Sequence, residues 1–408
     1  GGKMAAERSA NKPLKIRRVW ARMARLWPLW TRCVPMKIVV DENMPHAVEL
    51  FAEFGEVVPL PGREIKAADL QEADVLLVRS VTRVNEALLA SCPRLGFVGT
   101  ATIGTDHIDQ GLLAARGIPF FSAPGCNKVS VGDYVLSALL VLAERHELTL
   151  SEMSLAVIGA GNTGESVAGK AEALGMKVLR CDPPLARSGA AGDFVDYRTA
   201  LDADIVSFHV PYLREGEEAT FHLLGAEEIA ERPAGQILIN ASRGEVWDNR
   251  ALLVRQQGPH PLRLVMDVWE GEPEPLKELV PHTELATPHI AGYSLEGKAR
   301  GTWMLYEALC RQLGRTPRQD LQSLLPAPEV RELTPGQPAD QALIKQLVHL
   351  VYDVRRDDAR FRNRIGLPGS FDEQRKRYPE RRELGALQLK GPFADDRLAR
   401  LGFAVSEQ

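Results

Sequence analysis

Three short segments, NASRGE at 240–245, DVWEGEP at 267–273 and TPHIAGY at 287–293, supply a cation, a carboxylate and a titratable imidazole as Arg243, Glu272 and His289. That set suits the transfer of a proton and a hydride at an α-hydroxy acid. Histidine, with an ordinary pKa of about 6.5, can exchange the hydroxyl proton. A neighbouring carboxylate orients the ring and raises its basicity. The planar fork of arginine can grip a substrate carboxylate while donating to the reacting oxygen. His209, in SFHVP, is a rival imidazole at another strand end, and the reading of it as a buried core histidine is at least as strong.

A second motif supplies the hydride acceptor. Gly159, Gly161 and Gly164 in GAGNTG fit G-x-G-x-x-G, directly after the apolar run LAVI and ahead of a helical stretch containing Asn162 and Thr163. Glycines there permit a tight turn and close approach of a pyrophosphate, which sits on the exposed amides of a helix start. Asp182 stands 18 residues beyond Gly164, at the end of the next apolar run. An acid at that point accepts the ribose hydroxyls of NAD and repels the extra phosphate of NADP. Arg180 and Arg187 flank it and are the residues that leave room for NADP.

These residues need a scaffold that presents strand ends on one edge. From Met36 the chain alternates strand and helix: KIVVDE, a helix near 45–54, ADVLLVRS, a helix near 84–91, LGFVGTA and IPFFSAP. Such alternation predicts a parallel sheet covered by helices. A long apolar helix follows from Asn127 to about Glu147, apolar almost all round and so buried, with Asn127 or Ser130 as its cap. LAVIGAGNTG at 155–164 opens a second alternating series: MKVLRCD, ADIVSFHVP, QILINAS, LRLVMDV and ELATPHI. Arg243, Glu272 and His289 each follow one of its last three strands, and open α/β sheets bind ligands at that carboxyl edge. Residues 294–313 read as a helix, LLPAPE at 324–329 as a boundary, and Leu343, Ile344, Leu347, Val348, Leu350, Val351 and Val354 as an apolar stripe in the tail, followed by a mixed-charge run.

The 408 residues allow two or three domains, and the composition, 45% apolar and 25% charged, is that of an ordinary globular protein. Residues 1–35 hold nine Lys or Arg against Glu7 alone, although the whole chain carries a net charge of −4. The body is therefore acidic, which argues against nucleic acid as a partner. No apolar stretch is long enough to span a bilayer, and no membrane partner is expected. Residues 1–35 are expected to be a disordered extension. The five cysteines show no C-x-x-C spacing, so they read as free thiols of a reducing, cytoplasmic setting, with no metal site suggested.

The order GAGNTG, Asp182, SRGE, DVWEGEP and TPHIAGYS resembles the NAD-dependent D-2-hydroxyacid dehydrogenase family. Finer strings, including VDENMP at 40–45, GTATIGTDHID at 99–109, LLPAPE at 324–329 and HLVYDVRRDD at 349–358, are similar to the branch that oxidises 4-phospho-D-erythronate to 3-hydroxy-2-oxo-4-phosphobutanoate in pyridoxal phosphate biosynthesis. The resemblance implies a Rossmann NAD domain at 127–289, inserted into a flavodoxin-like substrate domain at 36–126 and 290–315. It also implies a small α+β dimerisation domain at 316–408, hence a homodimer. By motif, Arg243 becomes the substrate-binding arginine, His289 the base and Glu272 its acidic partner. Asp267 is implied to hold the nicotinamide amide, with Val210, Ala241, Ser242, Arg243 and Gly292 lining the same cofactor. Ser80, Val81, Thr102 and Tyr293 are implied substrate contacts, while Arg83, Lys128 and Lys298 are candidates for the substrate phosphate.

Asp133, Lys128 and Trp247 depart from the family pattern. Asp133 is an acid one methylene shorter than usual, Lys128 stands for a small residue and Trp247 for an aliphatic one. A 3-phosphoglycerate or glyoxylate/hydroxypyruvate dehydrogenase is the nearest rival reading, and a NAD-sensing corepressor the rival from another class.

Overall fold

A computed structural model describes residues 35–406; the expected extension at 1–35 falls, but for Pro35, outside the described residues. The chain divides into two compact units, one formed by residues up to Cys126 with Lys298–Leu324, the other by Asn127–Gly297 with the remainder from Leu325.

In the first unit, strands β1 (Met36–Asp41), β2 (Gly55–Leu60), β3 (Val75–Val78), β4 (Phe97–Thr100) and β5 (Phe120–Phe121) form a parallel sheet in the order β2-β1-β3-β4-β5. The strands between the edges are buried on both faces, which is why they read as continuous apolar runs rather than alternating ones. Ile38, Val40, Val75, Leu77 and Phe97 pack on one face against Leu305, Tyr306 and Leu309 of the helix Leu295–Gln312. The expected helix near 84–91 does not form. Leu88 and Leu89 are buried there in a run of turns, held by an Asn85 side chain that accepts from the Leu88 amide, with Val84 bridged to Ile108.

In the second unit, β6 (Ser154–Ile158), β7 (Lys177–Cys181), β8 (Ile205–Phe208), β9 (Ile237–Asn240), β10 (Arg263–Met266) and β11 (Leu285–Ala286) form a parallel sheet in the order β11-β10-β9-β8-β6-β7. The order reverses between β6 and β8, which leaves a crevice beyond their carboxyl ends. The long apolar helix spans Lys128–Arg145 and is buried through nearly all of its length. Asn127 occupies its N-cap position without a capping hydrogen bond, and Ser130 lies inside the helix with its hydroxyl donating to the Ala291 carbonyl at 2.8 Å. Neither candidate cap therefore caps. The helix runs against Asn162–Ala173 so closely that a Cβ on Gly132 would lie 2.4 Å from the Ser166 hydroxyl.

A buried ion pair ties this helix pair to the tail. Asp133 lies 2.9 Å from Lys170, and its other oxygen accepts from the Leu384 amide at 3.0 Å. Burial pushes the Asp133 carboxyl up and the Lys170 ammonium pulls it back down. Removing one partner of such a pair strands the other charge, at a cost of about 3–5 kcal/mol.

The first unit takes up the chain again at Lys298; before it, the Ile290 and Ala291 amides are bound by Asp267 and the Leu295 amide by the Arg381 carbonyl. The tail from Leu325 is part of the second unit. It forms helices Gln341–Val351 and Val354–Arg364 and a parallel sheet of β12 (Glu332–Leu333), β13 (Gln388–Lys390) and β14 (Ala404–Ser406). Ile344, Leu347, Val348 and Val354 of its apolar stripe are buried in one core with Tyr134, Leu139 and Leu142 of the long helix, leaving Leu350 exposed.

Candidate active site

Adjacent strands in a sheet lie about 4.8 Å apart, so loops leaving neighbouring strand ends are brought together by the backbone itself. Here β9, β10 and β11 are neighbours, and Arg243, Asp267, Glu272 and His289 all follow their carboxyl ends. Gly244 draws two of these loops into contact, since a Cβ there would fall 2.0 Å from the Trp269 carbonyl.

His289 and Glu272 meet. The imidazole Nδ1 lies 2.8 Å from Glu272 Oε2, with the two side chains 29% and 20% exposed, so the ring remains within reach of a substrate. The other Glu272 oxygen accepts from the Trp269 amide at 2.9 Å, which sets the carboxylate plane. A carboxylate oxygen accepts, so Nδ1 is the ring nitrogen that donates to Glu272. Arg243 is exposed, and its Nη1 donates to the Ser242 carbonyl at 2.7 Å rather than to Glu272 or His289.

Asp267 binds the loop that carries His289. Its carboxylate is buried and accepts from the Ile290 amide at 2.8 Å, the Ala291 amide at 3.0 Å and the Thr287 hydroxyl at 2.8 Å. Burial raises its pKa, and the nearby His289 opposes that rise. Tyr134, from the long helix, shares a 2.6 Å hydrogen bond with Thr287 and so extends the chain Tyr134–Thr287–Asp267. These contacts hold His289 in a left-handed backbone conformation, φ +59°, where a side-chain-bearing residue needs external support. No spacing rule links Tyr134 to Thr287 across the intervening chain, and sequence reading missed it.

The glycine turn is built as expected at the crevice. Gly159 has φ +91°, and a Cβ there would lie 2.3 Å from the His209 carbonyl and 3.1 Å from Val210. A Cβ on Gly164 would strike the Gly159 carbonyl at 1.8 Å, whereas one on Gly161 would meet nothing within 4 Å. The turn is thus packed on the protein side and open on the other, and the first-turn amides of Asn162, Thr163 and Gly164 have no acceptor within the helix. Asp182 sits beside it, accepting from the Ala160 amide at 2.9 Å and from Leu185 at 3.1 Å. Arg180 is paired with Glu165 at 2.7 Å and Glu172 at 2.8 Å, and Arg187 with Glu218, so both flanking cations are engaged by acids. An opening of this kind, with amides and an acid around it, fits a dinucleotide.

The rival His209 is a core residue. Its Nε2 pairs with Ser207 at 2.7 Å, and burial pushes its pKa down to about 3, so it stays neutral. Ser242 is buried against Asn240, Ala241 is half-buried, and Gly292 lets Asn127 approach, a Cβ there lying 2.6 Å from its amide nitrogen. Tyr293 receives a 2.9 Å hydrogen bond from Arg375. Trp247 is buried edge-on against Phe208, 5.5 Å between ring centres, which turns it into the core. Lys128 is exposed. In the first unit, Ser80 is exposed, Val81 half-buried and Thr102 bonded to Thr100 at 2.7 Å and to the Gly104 carbonyl at 2.8 Å.

Residues 140–291 match the family described as D-isomer specific 2-hydroxyacid dehydrogenase, NAD binding domain, and residues 324–402 match a domain of unknown function. The chain is 84% identical over 371 residues to an erythronate-4-phosphate dehydrogenase of Aeromonas hydrophila, covering 90% of this chain and 99% of that one. It is 62% identical to an erythronate-4-phosphate dehydrogenase of Tolumonas auensis, covering 91% and 100%. The crystal structure of the TT0316 protein from Thermus thermophilus is similar with a TM-score of 0.54 at 26% identity, covering 69% of this chain and 99% of that one.

Proposed function

The chain belongs to the erythronate-4-phosphate dehydrogenase family, and we propose that it oxidises 4-phospho-D-erythronate to 3-hydroxy-2-oxo-4-phosphobutanoate in pyridoxal 5′-phosphate biosynthesis. The cofactor is NAD. Gly159, Gly161 and the amides of Asn162, Thr163 and Gly164 would hold its pyrophosphate, and Asp182 its adenosine ribose. Val210, Ala241, Ser242 and Gly292 would line it, and bound NAD supplies the acceptor for the C2 hydride.

The observation that carries the reading is the His289–Glu272 pair, 2.8 Å apart at the carboxyl edge of the sheet that bears the glycine turn. His289 Nε2 takes the C2 hydroxyl proton as C2 becomes a carbonyl. Glu272 holds the tautomer that leaves Nε2 basic and stabilises the imidazolium that results. Arg243 serves the substrate carboxylate and the developing carbonyl oxygen. Ser80, Val81, Thr102 and Tyr293 serve as further substrate contacts. Asp267 binds the amides of the loop that carries His289 and would hold the nicotinamide amide as well.

A cytoplasmic location and a homodimer built through residues 316–408 complete the proposal. Among the described residues no helix is long and apolar enough to cross a membrane. Val330, Leu350 and Leu367 are exposed large apolar side chains among the described residues of the tail. The deciding experiment compares NADH formation from 4-phosphoerythronate, 3-phosphoglycerate and glycerate at equal concentration. A clear preference for 4-phosphoerythronate is expected, and equal or greater turnover of 3-phosphoglycerate would overturn the substrate assignment. Sedimentation of the full chain should give a dimer.

A further inference from the structure

The loop after His289 is gripped from two sides. Its amides at Ile290 and Ala291 go to the Asp267 carboxylate, and its carbonyls at the same residues go to a cation from the tail. Arg381 Nη2 lies 2.9 Å from the Ala291 carbonyl, and Nη1 lies 3.3 Å from the Ile290 carbonyl. The same Nη2 reaches the carbonyl and hydroxyl of Ser130, each at 2.6 Å, while the Ser130 hydroxyl itself donates to Ala291. Arg381 is 2% exposed and its guanidinium lies over the Tyr352 ring, 3.9 Å from the ring centre. The hydroxyls of Tyr352 and Tyr378 both donate to Asp357, so the cation sits in a fixed, water-poor socket.

Neighbouring tail residues run beside the same segment. The Leu295 amide donates to the Arg381 carbonyl at 2.8 Å, Arg382 bonds Glu296 at 2.7 Å, and the Ser294 hydroxyl donates to Glu383 at 2.9 Å. Arg375 bonds the Tyr293 hydroxyl at 2.9 Å. Every contact bears on residues 290–296, the piece of chain that leaves His289 in its left-handed conformation.

We propose that Arg381 is a positioning residue for the proton-transfer step, and that the tail braces the His289 loop. The proposal rests on the reading of His289 as the base. A planar guanidinium can serve two successive carbonyls and the Ser130 pair at once, which an ammonium cannot. Loosening that grip frees the loop, lengthens the His289–Glu272 contact and misplaces Nε2, and small misplacements cost large factors in rate.

The test uses Arg381→Lys in the full chain, with Ser130→Ala as a variant that weakens the same socket without altering the tail. In Arg381→Lys, kcat should fall by about tenfold or more, with KM for NAD within about twofold. The pH profile of kcat/KM should shift in the limb that His289 controls, and amide exchange of 287–293 should accelerate in the cofactor-free protein. Ser130→Ala should move both readouts in the same direction by less, and it carries the test should Arg381→Lys fail to fold. Wild-type pH profile and wild-type exchange in a folded variant would overturn the proposal. His289→Ala measured alongside separates the two readings. An inactive His289→Ala with a wild-type Arg381→Lys sinks the brace alone, whereas an active His289→Ala sinks the base assignment and with it the brace.

Discussion

Each unit holds a parallel sheet whose strand order reverses once, between β1 and β3 in the first and between β6 and β8 in the second. Winding alone gives both a crevice at the carboxyl edge. Their contents differ. In the first unit buried Asp41 accepts from the Asn43 amide, and the space that a Cβ on Gly62 would need is taken by Asp41 at 2.1 Å and Val81 at 2.7 Å. In the second, Gly161 faces open space while Gly159 and Gly164 are packed against backbone. Topology makes a site available, and the side chains at two or three positions decide whether a nucleotide can enter it.

The most severe way to sharpen this contrast is to remove the proposed base, His289. His289→Ala is expected to lower kcat by about a hundredfold to ten-thousandfold with NAD affinity near wild type, read by single-turnover rates and cofactor titration. Ser80→Ala, in the other unit, should raise KM for the hydroxy acid while leaving kcat close to wild type. A collapse of kcat in Ser80→Ala instead would break the division of labour.

Glycine substitutions probe the crevices directly. Gly161→Ala should leave the unfolding midpoint unchanged and weaken NAD by about tenfold, because its Cβ meets no protein atom. Gly62→Ala should do the reverse, costing about 1–3 kcal/mol in stability through overpacking with NAD affinity intact. Parallel urea melts and cofactor titrations check both. Loss of stability in Gly161→Ala would mean that the open face is needed by the fold.

Asp182→Asn should cut the preference for NAD over NADP by about tenfold in kcat/KM, by removing the charge that repels the ribose phosphate. The effect is bounded because Arg180 and Arg187 are already engaged by Glu165, Glu172 and Glu218. The smallest effect concerns His209, whose folded pKa is depressed to about 3 from 6.5 by burial. A depressed histidine contributes stability that is present above 6.5 and lost as pH falls toward about 3, because the unfolded chain takes up a proton the folded chain refuses. Urea midpoints at pH 7 and pH 5 should therefore differ less in His209→Gln than in wild type.

Much of the second unit was legible because its signals are local. An apolar run ending in Asn240, Met266 or Ala286 announces a buried strand, and the residues that follow must emerge at one edge. Glu272 and His289 could be paired on that ground before any coordinates. The glycine turn was equally legible, because strand, turn, helix and Asp182 occur in the required order. Other signals name a property and leave the partner open. The stripe from Leu343 to Val354 is apolar, and most of it is buried on the long helix of the same chain. VNEALLAS looked helical by composition but is pinned as turns by Asn85 and the Val84–Ile108 bridge.

Residue type, order and strand-end position, all properties of a short window, were enough to pick out His289 with Glu272, the glycine turn and the α/β class. Tertiary structure alone decided that Asp267 serves the amides behind His289, that His209 is a neutral core residue, and that Arg381 reaches Ser130, Ile290 and Ala291 from 90 or more positions away. Those assignments depend on which buried polar group lies next to which. A buried donor must find its acceptor wherever the packing brings one, and no periodicity along the chain encodes that meeting.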